Sequence, residues 1–178
     1  MKILFHIYIT TFICVCSCST EVDTINNEKT DKKPRPIGIA DKIFVEKGKR
    51  KLHLMRNDSI VKSYTICLGD QPVGHKTQQG DEKTPEGNYT IDYRNTKSAY
   101  HFSLHISYPN EQDRAQAKKR GVSPGGDVMI HGLPNSKKWP NSVKITYDWT
   151  DGCIALNNNE IDEIAKAVKN GTPIEIVP

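Results

Sequence analysis

The chain has 178 residues, of which 26% are charged and 36% are hydrophobic, and its formal net charge is +4. This length suits one domain of ordinary size, and this balance of residues is typical of a globular protein rather than a disordered chain. Because the charge is small and no Lys/Arg block alternates with aromatic residues, the sequence does not predict a nucleic-acid partner.

Residues 1–17 are predicted to be a lipoprotein signal peptide. Lys2 precedes a nearly uncharged apolar run, 3–15, which is too short to span a bilayer as a mature helix. The stretch VCSC that follows resembles the bacterial lipobox, which implies cleavage before Cys18 and attachment of lipid to that cysteine. The resemblance implies an exported protein held on a membrane by its N-terminal lipid. A plain secretory signal with incidental cysteines is the alternative.

Residues 18–36 are predicted to be a flexible tether. This stretch is polar, lacks aromatic residues and ends in Pro-Arg-Pro, so it has no apolar periodicity with which to join a core. The folded domain is therefore expected over residues 37–178.

The chain contains five cysteines, and export limits their roles. Cys14 and Cys16 are expected to leave with the signal, and Cys18 is expected to carry lipid. Cys67 and Cys153 then remain in the domain, where an oxidising compartment would allow them to pair. A surface domain stapled by a Cys67–Cys153 disulfide is therefore one open alternative.

From residue 37 onward, short runs rich in Ile, Val, Leu and Tyr alternate with turn residues, which predicts successive antiparallel hairpins. Predicted strands cover 39–46, 51–56, 59–67, 87–93, 101–107, 127–131 and 172–177. Predicted helices cover 112–120 and a stretch from Asn158 or Asn159 to Lys169. Many short strands with few helices predict a mainly β domain, a sandwich or partly open barrel with one or two peripheral helices.

His101 and His105 have a spacing that suits two metal ligands on a helix. However, apolar and polar side chains alternate through 100–107, and this period predicts a strand. Four strand residues span roughly 13 Å, which is too far for both rings to bind one ion. The sequence therefore does not predict a two-histidine metal site at these positions.

Cys153 and His131 are the residues that can carry chemistry. His131 ends a predicted strand and precedes Gly132, and Cys153 follows Gly152. An imidazole within hydrogen-bond reach can take the proton of a thiol and leave a nucleophilic thiolate. Gly152 leaves room for a substrate carbonyl, whose developing oxyanion the amides of Gly152 and Cys153 are expected to face. These residues alone leave Cys153 open to being a packed thiol, half of a disulfide, a metal ligand or a nucleophile.

These residues resemble the YkuD-type L,D-transpeptidase family, whose pattern is His-Gly, a spacer, and then Ser/Thr-x-Gly-Cys. The chain has His131-Gly132 and Thr150-Asp151-Gly152-Cys153. GDEKTPEGNYTI, 80–91, is similar to the family's G-D-x-x-T-P-x-G-x-[YF] element. The stretch 107–131 is also similar, and the resemblance extends over about 39–177.

The resemblance implies a YkuD-like domain that acts on the stem peptides of peptidoglycan without a metal or an organic cofactor, and we expect a monomer. Cys153 would attack the carbonyl of an L-centre next to a D-residue and form a thioester. His131 would act as base and then as acid, with a backbone carbonyl of the segment starting at Gly132 orienting its ring. An amine from a second stem would complete a crosslink. If water resolved the thioester in place of the amine, the protein would be an L,D-carboxypeptidase or a hydrolase of wall crosslinks.

Two positions depart from the family's pattern. Asp151 stands where many members have His, and Ala155 stands where many have an Arg or Asn that can bind substrate. Recognition of a substrate carboxylate is therefore expected to come from elsewhere. The candidate cations, each of which can equally be a solvated surface residue, are Arg94, Lys97, Lys137 and Lys138. Asp151 is expected either to raise the pKa of the neighbouring thiol or to steer a cationic amine acceptor.

Three residues beside the predicted nucleophile, Trp149, Thr150 and Asp151, are candidate substrate contacts. Trp149 can instead pack the loop between His131 and Cys153. Thr150 can instead brace the active-site loop through a hydroxyl hydrogen bond. A non-catalytic wall-binding lipoprotein is the alternative for the whole protein, but binding would require neither His131 nor Cys153.

Overall fold

The computed structural model describes residues 38–136 and 145–178. The predicted signal peptide, 1–17, the tether, 18–36, and the lipidation site Cys18 lie outside these residues, as do Lys137 and Lys138. Within the two described ranges, no helix combines the length and the apolar character needed to cross a membrane.

The described residues form eight strands and two helices, most of them where the sequence predicts them. The strands are β1 (Lys42–Glu46), β2 (Lys51–Arg56), β3 (Ser59–Thr65), β4 (Gly87–Asn95), β5 (Ser103–Ile106), β6 (Met129–His131), β7 (Ile154–Ala155) and β8 (Pro173–Val177). The helices are α1 (Glu111–Arg120) and α2 (Asn158–Ala167). The strand β7 was not predicted, because two residues are too few to show a period.

The predicted hairpins are confirmed at the start of the domain, where β1 pairs with β2 and β2 with β3, both antiparallel. Asn57 and Asp58, which join β2 to β3, have φ angles of 49° and 58°. Two successive positive φ angles are what a type I′ hairpin turn requires, and Asn and Asp tolerate them better than most residues.

The eight strands form one sheet in the order β3-β2-β1-β8-β4-β5-β6-β7, with β1 and β8 parallel. The chain leaving β3 meets β7, which lies at the other end of this order. Cys67 N donates to Ala155 O at 2.8 Å, and Ala155 N donates to Cys67 O at 2.9 Å. The sheet thus curls until its two edges touch at one point, which we call the seam. This confirms the mainly β class and, of the two expected forms, the partly open barrel.

The core lies inside the curl of the sheet. Alternate residues of the strands are fully buried there, as Ile43 and Val45 are in β1 and Leu52 and Leu54 are in β2. Helix α2 adds Ile161 and Ile164 from one face, whereas α1 buries only Asp113 and Ala117 and stays peripheral. The burial of α2 fixes the end of β7, which precedes it, against the core.

The bounds of α2 correct the predicted ones. Its N-cap is Asn157 rather than Asn158 or Asn159, because Glu160 then reaches back and accepts the Asn157 N–H at 3.0 Å. The helix ends at Ala167 rather than Lys169, since Val168 already has extended dihedral angles.

Candidate active site

Two neighbouring strands bring His131 and Cys153 to one place. β6 and β7 are parallel, with Ile130 opposite Ile154 and His131 opposite Ala155. His131 is the last residue of β6, and Cys153 immediately precedes β7. Both side chains line one cavity of about 390 Å³. The pair that the sequence singled out therefore shares one cavity.

The imidazole of His131 is buried, with 3% of the residue exposed. Its Nδ1 lies 2.6 Å from the carbonyl oxygen of Gly132. Because a carbonyl only accepts, Nδ1 carries the proton and Nε2 keeps a lone pair that can act as a base. This carbonyl is the ring orienter that the family resemblance implies. Gly132 has no space for a side chain, since an added Cβ would lie 2.7 Å from Asn158 Oδ1.

Aromatic side chains enclose the same imidazole. The ring of Tyr100 lies 4.5 Å from that of His131, and the ring of Trp149 lies 5.8 Å from it, edge to face. Burial lowers the pKa of His131, because an apolar enclosure disfavours the charged ring. His131 is therefore neutral at neutral pH.

The sulfur of Cys153 is held by backbone groups. It accepts the N–H of Met129 at 3.4 Å and donates its S–H to the carbonyl of Asp127 at 3.6 Å. Burial raises the pKa of Cys153, and the carboxylates of Asp151 and Asp127 raise it further, while the Met129 N–H and the Lys76 ammonium lower it. The resting site thus holds a neutral thiol beside a neutral imidazole. The thiolate expected from a neighbouring base has to form during the reaction.

The loop before Cys153 is braced by Thr150. The Thr150 hydroxyl donates to Cys153 O at 2.8 Å and accepts from Gly152 N at 3.2 Å. This agrees with the bracing interpretation of Thr150, which also lines the cavity beside Trp149 and Asp151. Because the Gly152 N–H is already engaged, its expected oxyanion role is not supported. Of the two amides that were expected to face the oxyanion, only that of Cys153 remains a candidate donor.

The loop between β3 and β4 packs directly against the loop that carries Cys153. Asp70 N donates to Thr150 O at 2.9 Å, and Gly69 N donates to the buried hydroxyl of Thr84 at 3.1 Å. A Cβ on Gly69 would lie 2.0 Å from Glu82 O, and one on Gly152 would lie 2.6 Å from the carbonyl oxygen of Lys83. The motif at 80–91 therefore shapes the site by supporting the backbone that carries Cys153.

Cys67 is not part of a disulfide. Cys67 and Cys153 are both free thiols, so the structure does not contain the disulfide alternative. The Cys67 backbone pairs across the seam with Ala155, and its buried sulfur lies close to the Trp149 side chain. Burial, with a smaller effect of Asp148, raises the pKa of Cys67 to about 11. Cys67 thus supports Trp149, which in turn packs against His131.

Of the four predicted cations, Arg94 and Lys97 belong to the described residues, and neither lines the cavity of Cys153. The guanidinium of Arg94 donates to Val168 O at 2.6 Å and to Ala165 O, and so binds the C-terminal end of α2. Lys97 is exposed. The sequence analysis missed Lys76, which is 4% exposed. It also missed Tyr100 and Asp127 in the cavity of Cys153, because all three arrive from distant segments.

The two histidines of the predicted 101–107 strand contact different carboxylates. His101 has a φ of 62° and precedes β5, so the strand begins later than predicted. Its Nε2 lies 2.9 Å from Asp162 Oδ1, whereas His105 Nδ1 lies 2.6 Å from Asp92 Oδ1. In residues 38–136 and 145–178, no group of three or more His, Cys, Asp or Glu side chains is placed to hold a metal ion.

Known proteins are similar to this chain in sequence and in fold. A family model described as the YkuD L,D-transpeptidase catalytic domain matches residues 40–176. YafK of Escherichia coli, a candidate L,D-transpeptidase, is 33% identical over 130 residues, which are 71% of this chain and 45% of YafK. The helical cell shape determining protein Pgp2 of Campylobacter jejuni has a TM-score of 0.57 and 25% identity, covering 80% of this chain and 51% of Pgp2. Bd1075 of Bdellovibrio bacteriovorus has a TM-score of 0.53 and 27% identity, covering 79% and 51%. The chain spans about half the length of these relatives.

Proposed function

Since the chain belongs to the YkuD family of L,D-transpeptidase catalytic domains, we propose that it is a cysteine acyltransferase that crosslinks peptidoglycan stem peptides. The observation that carries this proposal is the cavity shared by Cys153 and His131. Nδ1 of that histidine is occupied by Gly132 O, so Nε2 is left to exchange protons with the substrate and the thiol.

Acylation begins from the neutral pair. The thiol proton passes to Nε2 of His131 as the sulfur attacks the carbonyl carbon of the L-residue that precedes a D-residue. Negative charge moves to the carbonyl oxygen, and in this proposal the Cys153 amide stabilises it. The imidazolium then gives its proton to the departing amine of the D-residue. The product is a thioester on Cys153.

The thioester is resolved by an amine of a second stem peptide. Neutral His131 takes a proton from that amine as it attacks, and the thiol returns. Asp127 and Asp151 line the cavity, and their negative charge favours a cationic group on the acceptor. If water enters in place of the amine, the same site performs carboxypeptidase or hydrolase chemistry, so the products distinguish these reactions.

We further propose that the protein is an exported lipoprotein, a monomer anchored through lipid on Cys18 and facing the periplasm or cell wall. The apolar run 3–15, the lipobox-like VCSC and the polar stretch 18–36 support this proposal. An anchored transpeptidase would act on nearby wall and so contribute to its remodelling and to cell shape, the role named for Pgp2.

The test is incubation of the purified protein with muropeptides followed by mass spectrometry of the products and of the protein. A crosslinking enzyme yields new dimers and a transient mass on Cys153 equal to the acyl stem. Cys153→Ala is expected to abolish both while the thermal unfolding midpoint stays close to that of the parent.

Each other product has a separate meaning. Loss of the terminal D-residue without dimers would assign carboxypeptidase activity, and breakdown of existing dimers would assign a hydrolase. Full turnover by Cys153→Ala would refute cysteine chemistry altogether. For the anchor, Cys18→Ala is expected to release the protein from membranes, and an unchanged membrane fraction would reject the lipid.

A further inference from the structure

Lys76 is a cation buried beneath the nucleophile loop. Its side chain is 4% exposed, and Nζ donates to Asp81 Oδ1 at 2.8 Å and to Gln78 O at 3.2 Å. An ammonium has three N–H groups, so these contacts leave one that is not used by either partner. Burying a lysine costs free energy even when it is paired. A buried Lys76 does not act as a solvated surface charge, so its position calls for another explanation.

The ammonium lies beside the residue that precedes the nucleophile. A Cβ built on Gly152 would be 3.7 Å from Lys76 Nζ. Lys76 also lines a second cavity of about 520 Å³, which shares Gly126, Asp127 and Asp151 with the cavity of Cys153. The buried charge is therefore next to the backbone that carries Cys153, and it lines a cavity that neighbours the cavity of Cys153.

The fixed charges around Cys153 are otherwise unfavourable to a thiolate. Asp151 precedes Gly152 in the chain, and the backbone carbonyl of Asp127 accepts a hydrogen bond from the Cys153 thiol. Both carboxylates disfavour negative charge on the sulfur, and Lys76 opposes them. His131 offers no positive charge at rest because burial lowers its pKa. Acylation nevertheless places negative charge on the sulfur and then on the substrate oxygen.

We propose that Lys76 is the counter-charge of this site, whose ammonium stabilises the negative charge that passes from the Cys153 sulfur to the substrate carbonyl oxygen. It is a positioning residue that acts through its electric field and neither gives nor takes a proton. The thiol proton still goes to His131 Nε2, the S–C bond forms, and the carbonyl π electrons move to oxygen. The role of Lys76 rests on the proposed acylation. Lys76 brings a positive charge to a site in which Ala155 replaces the Arg or Asn of many family members.

A purely structural role for Lys76 has to be separated from this one. The Asp81 carboxylate also accepts the backbone N–H groups of Thr77 at 2.7 Å and Gln78 at 3.0 Å, and so closes the turn that contains it. If Lys76 only neutralises Asp81, removing both charges together restores the site. If Lys76 acts on Cys153, removing both charges leaves the thiol without its cation.

The experiment measures the rate at which iodoacetamide alkylates Cys153 in the full chain, with Cys153→Ala as the background. Below the pKa of the thiol, Lys76→Met is expected to slow alkylation about tenfold or more, which is the effect of one charge about 10 Å away at an effective dielectric constant of about 20. Asp151→Asn is expected to accelerate alkylation. Lys83→Met is the matched control, because it removes a lysine of the same loop whose Nζ lies beside Gly74, and its rate should stay unchanged.

The double variant Lys76→Met/Asp81→Asn decides between the two roles. A rate that stays as slow as in Lys76→Met supports the counter-charge, and a rate restored to that of the parent overturns it. A parental rate in a folded Lys76→Met would overturn it as well. Should Lys76→Met fail to fold, the double variant leaves no unpaired buried charge and is compared directly with the parent. Because no peptide is used, failure here is distinguishable from failure to crosslink stem peptides.

Discussion

Burial moves the pKa values of Cys153 and His131 in opposite directions. A buried thiol loses its proton less readily, and a buried imidazole gains one less readily. Both effects favour the neutral pair over the thiolate–imidazolium pair. Cys153 therefore keeps its proton at rest, and in the proposed reaction that proton moves to Nε2 of His131 only when a substrate is bound.

This neutral pair predicts how Cys153 alkylation depends on pH. The pKa of an ordinary thiol is about 8.5, and burial raises the pKa of Cys153 above its ordinary value. The alkylation rate should therefore rise continuously, about tenfold per pH unit, through neutral pH and beyond 9. A rate that is level between pH 5 and 8 would instead indicate a preformed thiolate–imidazolium pair. Mass spectrometry of iodoacetamide-treated protein at each pH measures the rate.

Removing the base should affect acylation without preventing alkylation at high pH. His131→Ala is expected to slow formation of the acyl-enzyme on the order of 10²-fold, because no group then accepts the thiol proton. At a pH above the thiol pKa the sulfur ionises without help, so alkylation should approach the parental rate. His105→Ala is the control, since that ring pairs with Asp92. An unchanged acylation rate in His131→Ala would remove the histidine from the mechanism.

At the scale of elements, the site is a contact between two loops. The loop between β3 and β4 supports the one that precedes β7, through Asp70 N on Thr150 O and through the close approach of Gly69 to Gly152 Cα. Glycines at both positions allow the two backbones to touch, which no larger residue would permit. The position of the sulfur is therefore set by packing between loops as well as by the sheet.

Gly69→Ala tests this contact. The added Cβ would lie 2.0 Å from Glu82 O, and backbone must move to accept it. We expect the free energy of unfolding to fall by about 1–3 kcal/mol, as for other overpacked sites, and acylation to slow because Cys153 shifts. Denaturant unfolding and acyl-enzyme kinetics measure the two effects. Gly126→Ala is the stability control, since a Cβ there meets nothing within 4 Å. Equal stability of the two variants would contradict the proposed contact.

Much of the element pattern was readable from the sequence because hairpins and amphipathic helices are local. The Asn157 cap was also readable, since Glu160 follows it at the spacing of a capping box, although three consecutive asparagines obscured it. Strand β7 was not readable, because its pairing depends on β6 and on the segment after β3. His131 and Cys153 were found through adjacent glycines and the family pattern. Lys76 was not, because its importance arises only when a distant loop folds under Gly152.

At the scale of the whole molecule, the seam joins the two ends of the sheet. Cys67 and Ala155 exchange two backbone hydrogen bonds there. The Cys67 side chain lies close to the Trp149 side chain. The sulfur is thus a packing group, and the pairing that closes the sheet belongs to the backbone.

Cys67→Ala is expected to leave turnover largely unchanged, because the backbone pairing of the seam does not depend on the side chain. Loss of the buried sulfur should lower the free energy of unfolding by roughly 1 kcal/mol. Turnover and denaturant unfolding of this variant, compared with Cys153→Ala, measure the difference between a packing thiol and a nucleophile. Loss of turnover in a stable Cys67→Ala would show that Trp149 requires its sulfur partner.

The seam also provides a natural reporter. One of its two amides, that of Ala155, lies two residues after Cys153, and we expect both amides to exchange with deuterium only when the two edges of the sheet separate there. Isotope uptake at these two positions therefore follows the integrity of the catalytic pocket in the empty protein, without any need for a substrate, a label or an inhibitor. A compound that separates the two edges of the sheet at the seam is therefore expected to displace Cys153 and inhibit the proposed reaction without contacting the thiol.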